Sequence, residues 1–226
     1  SPLGRQYWGS GDYVLENFDE YSDKIVLSGT NWLSTHYAGI NVQWHDINRP
    51  KQYDVSAMFQ YPSITKSYEH GIVQSDFYDN YRRPAMDIIN RLNTDIQVAK
   101  LIDGQRVSHE DYYNKVFNSK ILFAPYGYGE MAPRDLEAAI FGSILIKPDM
   151  SYIDTKPDVF IDGETYIACK HDFSDLEEKI TKVLGNYNDY LYIVLPHLLK
   201  HLYVSHICIW NLKVFLYMPK PLNNVF

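Results

Sequence analysis

An α/β fold built on a mostly parallel sheet, with helices on both faces, is predicted by three observations. Strand-like and helix-like segments alternate from Tyr53 to about residue 184, the rhythm of a parallel sheet with helical crossovers. The segment Lys120-Ile121-Leu122-Phe123-Ala124 is almost wholly apolar, as a strand covered on both faces must be. Directly after it comes a glycine-bearing loop that runs into a helix opened by Pro133. Together these predict a single Rossmann-like domain over residues 51–190.

The elements follow in order. Asp54 to Phe59 reads as the first strand, ended at Tyr61-Pro62. A helix running to about Leu92 is expected to enter at Pro84, since proline suits the first helical position; Ala85, Ile88, Ile89 and Leu92 recur at helical spacing. Asp95–Ala99 is the second strand. Ser108-His109-Glu110-Asp111 resembles a capping box opening a helix with Tyr112, Val116 and Phe117 on one side. After the third strand, Leu136, Ala139 and Ile140 face inward from a helix that stops at Gly142. Ser143–Lys147 is the fourth strand. Val159–Ile161 and Thr165–Ala168 read as short extended pieces. Ser174-Asp175-Leu176-Glu177 reads as a second capping box, ahead of a helix carrying Leu176, Ile180, Val183 and Leu184.

The flanks are less regular. Residues 1–50 contain one short strand-like run, Asp23–Ser28, and are expected to be an N-terminal extension or the remnant of a preceding domain. Residues 191–226 are strongly apolar but interrupted by Lys200, His201 and His206. No run reaches the ~18–20 apolar residues of a membrane span, so this segment is expected to pack on the domain.

Composition removes several function classes. The chain has 226 residues, 46% of them apolar, which excludes wholesale disorder. A net charge of −7 excludes a general nucleic-acid binder, so an anionic ligand needs a local site. The 20 tyrosines suit a sugar-binding cleft but are also ordinary half-buried surface residues. Cys169 and Cys208 lack metal or redox spacing and are expected to be reduced. No apolar leader is read at the start, so the expected location is cytoplasmic. His197, His201, His206 and Cys208 make an unconvincing metal set, and the expectation is no metal. There is no G-x-x-x-x-G-K loop and no G-x-S-x-G elbow.

The candidate site falls at the carboxyl edge of the sheet, where open parallel sheets bind ligands. Gly127-Tyr128-Gly129-Glu130 would bring backbone amides close to a ligand, and the helix behind it aims its positive end at the same spot. Arg134 in the first turn can fork onto a phosphate. Glu137, one turn on, could accept from ribose hydroxyls. Arg82 and Arg83 are a second candidate phosphate clamp. The bland alternatives are a first-turn acid (Glu130), a surface ion pair (Arg134), a solvated helix residue (Glu137), a basic surface pair (Arg82, Arg83) and a simple turn.

Lys120–Pro125, the Gly-Tyr-Gly-Glu loop, Arg134-Asp135-Leu136-Glu137-Ala138-Ala139 and Gly142–Ile146 resemble the C-terminal, donor-binding domain of GT-B glycosyltransferases, closest to the exostosin-like and group 1 types. The resemblance implies transfer of a sugar from a nucleotide-diphosphate donor to an acceptor hydroxyl, with no obligatory cofactor. It implies that Glu137 meets the ribose, Arg134 and the loop amides meet the diphosphate, and Glu130 lies near the donor sugar as the catalytic carboxylate. A missing acceptor domain or partner chain is also implied. The family's glutamate pair is spaced one residue wider than Glu130 and Glu137, and Gly129 holds the first position. A GT-A enzyme is disfavoured by the lack of any Asp-x-Asp. Two readings stand beside this one. Gly127-Tyr128-Gly129-Glu130-Met131-Ala132 matches the G-x-G-x-x-A dinucleotide fingerprint, with Asp149 where an NAD(P) ribose would be read. The other is an α/β module without catalysis.

Overall fold

The computed structural model describes residues 47–61, 75–101, 107–127, 130–153 and 158–194. Five parallel strands form one sheet: β1 (Tyr53–Ala57), β2 (Val98–Lys100), β3 (Ser119–Phe123), β4 (Ile144–Pro148) and β5 (Ile167–Cys169), in the order β2-β1-β3-β4-β5. The helices are α1 (Ser75–Leu92), α2 (His109–Phe117), α3 (Pro133–Ile140), α4 (Leu176–Gly185) and the short α5 (Tyr187–Tyr190), closed by a 3₁₀ turn at Leu191–Ile193. The domain is a Rossmann-like α/β fold, as the alternation of segments predicts.

Residue alternation within each strand divides the core into two layers. Val55 and Ala57, Ile121 and Phe123, and Ile144 and Ile146 pack with α1 and α4. Met58, Leu122, Ala124 and Leu145 pack on the opposite face with Val116 of α2, Ala138 of α3 and the 158–166 segment. The chain therefore steps from β1 to β2 across one face and returns from β2 to β3 across the other. Opposite faces are what right-handed crossovers require when strand order reverses. The reversal leaves a crevice between the carboxyl ends of β1 and β3, the place where doubly wound sheets bind ligands.

Three expected boundaries are corrected. Pro84 lies inside α1, which starts nine residues earlier at Ser75. The missing proline N–H costs one helical bond, but Ala85, Met86 and Ile89 just beyond it are buried in the core, and this packing holds the longer helix together. The Ser174 capping box is not formed: the N-cap of α4 is Asp175, whose Oδ1 instead accepts from the Lys170 amide at 2.8 Å. Asp95 and Ile96 belong to the turn after α1, hydrogen-bonded back to Leu92, so β2 begins at Val98. Other expectations hold. Ser108 caps α2 by accepting from the Asp111 amide at 3.0 Å, Pro133 opens α3, and Gly142 follows its C-cap with φ +63°.

Of residues 1–50, only 47–50 are described, and with Lys51 they clasp the far end of the domain. Arg49 and Lys51 both donate to the carbonyl oxygens of Phe117, the last residue of α2, and Phe141, the C-cap of α3, at 2.7–3.0 Å. Cations suit helix C-termini, and the Arg49 guanidinium also lies 3.7 Å over the Phe117 ring. Burial and the neighbouring Arg49 charge lower the Lys51 pKa to about 7. Leu191, Ile193 and Val194 at the start of the apolar C-terminal segment are buried. The strand-like run 23–28 and residues 195–226 lie outside the described residues.

Candidate functional site

Two arginines meet at the β1/β3 crevice. Arg82 comes from α1 and is 9% exposed. Its Nε donates to the Tyr126 carbonyl at 3.0 Å and its Nη1 to the Gln60 carbonyl at 2.8 Å. It thus ties the loop after β3 to the loop after β1. Arg134, at the second position of α3, reaches the same β1 loop, its Nη1 donating to Met58 O at 3.3 Å. The Arg134 Nε is buried with no hydrogen-bond partner, a costly state for a charged donor.

The paired clamp of Arg82 and Arg83 is not formed. The two project differently: Arg82 inward onto carbonyls, Arg83 outward, where it donates to the Asn80 side chain at 3.0 Å. Adjacent helical residues lie ~100° apart around the axis, so one inward residue sends its neighbour out. Gly127 does not take a left-handed conformation. A Cβ there would stand 3.2 Å from Arg82 Nη2, so the glycine makes room for the arginine. Tyr128 and Gly129 lie outside the described residues.

Beneath the loop is a buried ion pair that no motif announced. Lys147, at the carboxyl end of β4, and Asp135, at the third position of α3, are both 0% exposed. Lys147 Nζ contacts both Asp135 carboxylate oxygens at 3.0–3.1 Å and also donates to the Glu130 carbonyl. The Tyr126 and Phe160 rings lie 5.2 and 5.6 Å from the ammonium, within cation–π range. Burial pulls the Lys147 ammonium below the usual lysine range, and Asp135 opposes that pull. Asp135 in turn accepts from the Ala132 amide at 2.9 Å. Ala132 has no side-chain acceptor to return the favour, so only the carboxylate half of a capping box exists at α3.

Glu137 is not an open carboxylate. It is 3% exposed, and the Tyr112 hydroxyl of α2 donates to its Oε2 at 2.5 Å. Burial, then the nearby Glu137 carboxylate, raises the Tyr112 pKa despite the opposing charge of Arg134. Glu130 is half-buried, and its backbone oxygen, held by Lys147, fixes where the loop meets α3.

Tyr126 joins the crevice to the next loop. Its hydroxyl donates to Asp149 O at 2.6 Å, and its ring stacks on Tyr81 at 6.0 Å and meets His171 at 5.6 Å. Asp149, the ribose-reading position of the dinucleotide alternative, accepts from the Ser151 amide at 3.0 Å and hydroxyl at 2.7 Å. Although burial acts to raise it, these bonds hold its carboxyl below the usual aspartate range. An open cleft of about 560 Å³ beyond β5 includes Asp149, Asp162, Asp172 and Asp175. Each of these carboxylates accepts from a nearby backbone amide, Asp162 from Ala168 of β5 and the other three from their own loops. Among the described residues no three His, Cys, Asp or Glu side chains gather as metal ligands, and no helix is long and apolar enough to cross a membrane. Cys169 is buried and free, its thiol pushed up by burial. Cys208 and the three histidines grouped with it lie outside the described residues.

The strand order and the crevice define a doubly wound, Rossmann-like α/β domain with cationic side chains at its switch point. No protein-family model matches the chain, and no curated protein matches it.

Of these residues, sequence reasoning missed Lys147, Asp135 and Tyr112. Lys147 left one signal: a lysine closing the apolar run Ile144-Leu145-Ile146. A charge in a strand covered on both faces needs a buried partner.

Proposed function

We propose that the domain binds the nucleotide-diphosphate sugar of a GT-B-type glycosyltransferase and holds its diphosphate at the β1/β3 crevice, over the start of α3. The observation that carries the reading is Arg134: a guanidinium anchored to the β1 loop through Nη1, with Nε–H unpartnered, in the first turn of a helix at the switch point. A phosphoryl oxygen would satisfy that donor and meet the positive end of α3. The backbone adds to this. The amides of Gly127 and Met131 have no acceptor among the described residues, and both residues are partly accessible. In sugar transfer, such fixed donors would stabilise the leaving diphosphate while the acceptor hydroxyl attacks the anomeric carbon. Glu130 is the carboxylate proposed to face the donor sugar. Arg82 supports the site from beneath as a loop tie. Glu137 is reassigned from ribose contact to the α2–α3 tether.

Calorimetric titration with UDP, GDP, their sugar conjugates, NAD and NADP tests the reading. Binding of one nucleoside diphosphate is expected. Arg134→Ala should weaken it by about 10- to 100-fold, the worth of hydrogen bonds to a charged group, with little loss of stability. Undiminished affinity in that variant removes Arg134 from the site, and binding of NAD alone replaces the reading with the dinucleotide one.

A further inference from the structure

We propose that Lys147, paired with Asp135, is a positioning residue that aims the Met131 amide at a bound oxyanion, while Arg82 does the same for the Gly127 amide. The inference deepens the proposed function and rests on it. A trans peptide unit is planar, with its C=O and the following N–H pointing in opposite directions. Lys147 Nζ holds the Glu130 carbonyl, so the Met131 N–H of the same unit points away from the buried ammonium. Arg82 Nε holds the Tyr126 carbonyl at 3.0 Å, so the Gly127 N–H points away from the guanidinium. Neither amide has an acceptor among the described residues. The two cations therefore act through the backbone. Each fixes a carbonyl and turns the following N–H, of Gly127 or of Met131, away from itself.

Asp135 makes the Lys147 arrangement one-directional. Its carboxylate accepts from Lys147 and from the Ala132 amide. That N–H is thereby removed from the set of free donors, and the ammonium is held under Glu130. The Tyr126 and Phe160 rings flank the ammonium, and Lys147 has no exposed surface. A ligand at the outer side of the loop would meet the amide that Lys147 orients, not Lys147 itself.

Lys147→Met alone strands a buried carboxylate and endangers the fold, so the decisive variant is Lys147→Met/Asp135→Asn. It removes one positive and one negative charge, leaving the long-range field unchanged, and asparagine can still accept from Ala132. Wild type and double variant are titrated with inorganic pyrophosphate while backbone amide resonances are followed. In the wild type both the Gly127 and Met131 amides should shift. In the double variant the Met131 response should vanish, the Gly127 response should persist and affinity should fall about tenfold, the worth of one charge-assisted hydrogen bond. A folded double variant that binds as the wild type does, with the Met131 response intact, overturns the assignment. So does equal loss of both responses, which would make the pair a general prop of the loop. A wild-type protein whose amides ignore pyrophosphate and nucleoside diphosphates alike removes the functional reading, and this assignment with it.

Discussion

Lys147→Met is the single substitution whose cost can be worked most directly from the structure. Methionine nearly matches the lysine stem in volume, so packing changes little and the loss is electrostatic. Asp135 is left 0% exposed with the Ala132 amide at 2.9 Å as its remaining hydrogen-bond donor. Removing one partner of a buried pair costs about 3–5 kcal/mol, because the other charge stays buried without compensation. At roughly 2–4 °C per kcal/mol for a chain of this size, Tm should fall by about 6–20 °C. Urea denaturation should show the same loss as a lower midpoint with an unchanged slope. Lys147→Met/Asp135→Asn should recover the larger part, since no charge is then stranded. If the double variant is as unstable as the single one, the cost lies in lost contacts of the lysine stem and the ion-pair argument fails. A single variant with nearly wild-type stability would mean that water reaches Asp135.

Further predictions concern the helices around the site and the clasp beneath it. Tyr112→Phe removes the hydroxyl bonded to Glu137 and should cost about 1.5–3 kcal/mol, as for a hydrogen bond to a charged group. Unchanged stability in denaturant would show that the tether does not form. Gly142→Ala places a side chain at φ +63° against Ile47 and should cost about 1–2 kcal/mol; calorimetry showing no change in Tm would refute the left-handed C-terminal turn. Lys51 has a folded-state pKa lowered from 10.5 to about 7 by burial and by Arg49, so the folded state binds fewer protons than the unfolded chain between those values. Its contribution is present above pH 10.5 and lost as pH falls to about 7. Relative to Lys51→Met, the wild type should therefore gain stability from pH 7 to 9, and parallel profiles for the two proteins would refute the shift.

The layered α/β fold was legible in the sequence because its signals are local. Apolar strands such as Ile121–Phe123, helical spacing in Ala85–Leu92, Pro133 at a helix start and Gly142 at its end each act over a few residues. Arg134 could be placed in the first turn of α3 for the same reason. Tertiary structure decided what local signals do not carry. Pro84 stayed inside α1 because core contacts beyond it outweigh one missing hydrogen bond. Arg82 turned inward while Arg83 stayed outside, a difference set by which face of α1 meets the sheet. Glu137 was drawn to Tyr112 across 25 positions of chain, and Lys147 to Asp135 and Glu130 across 12 and 17. The sequence by itself determined the elements, their order and the loop for which a site is proposed. Only the folded chain decided which charges stand at the β1/β3 edge and which hold loops and helices together, because a buried charge takes its partners from groups that come near it only after the sheet has closed.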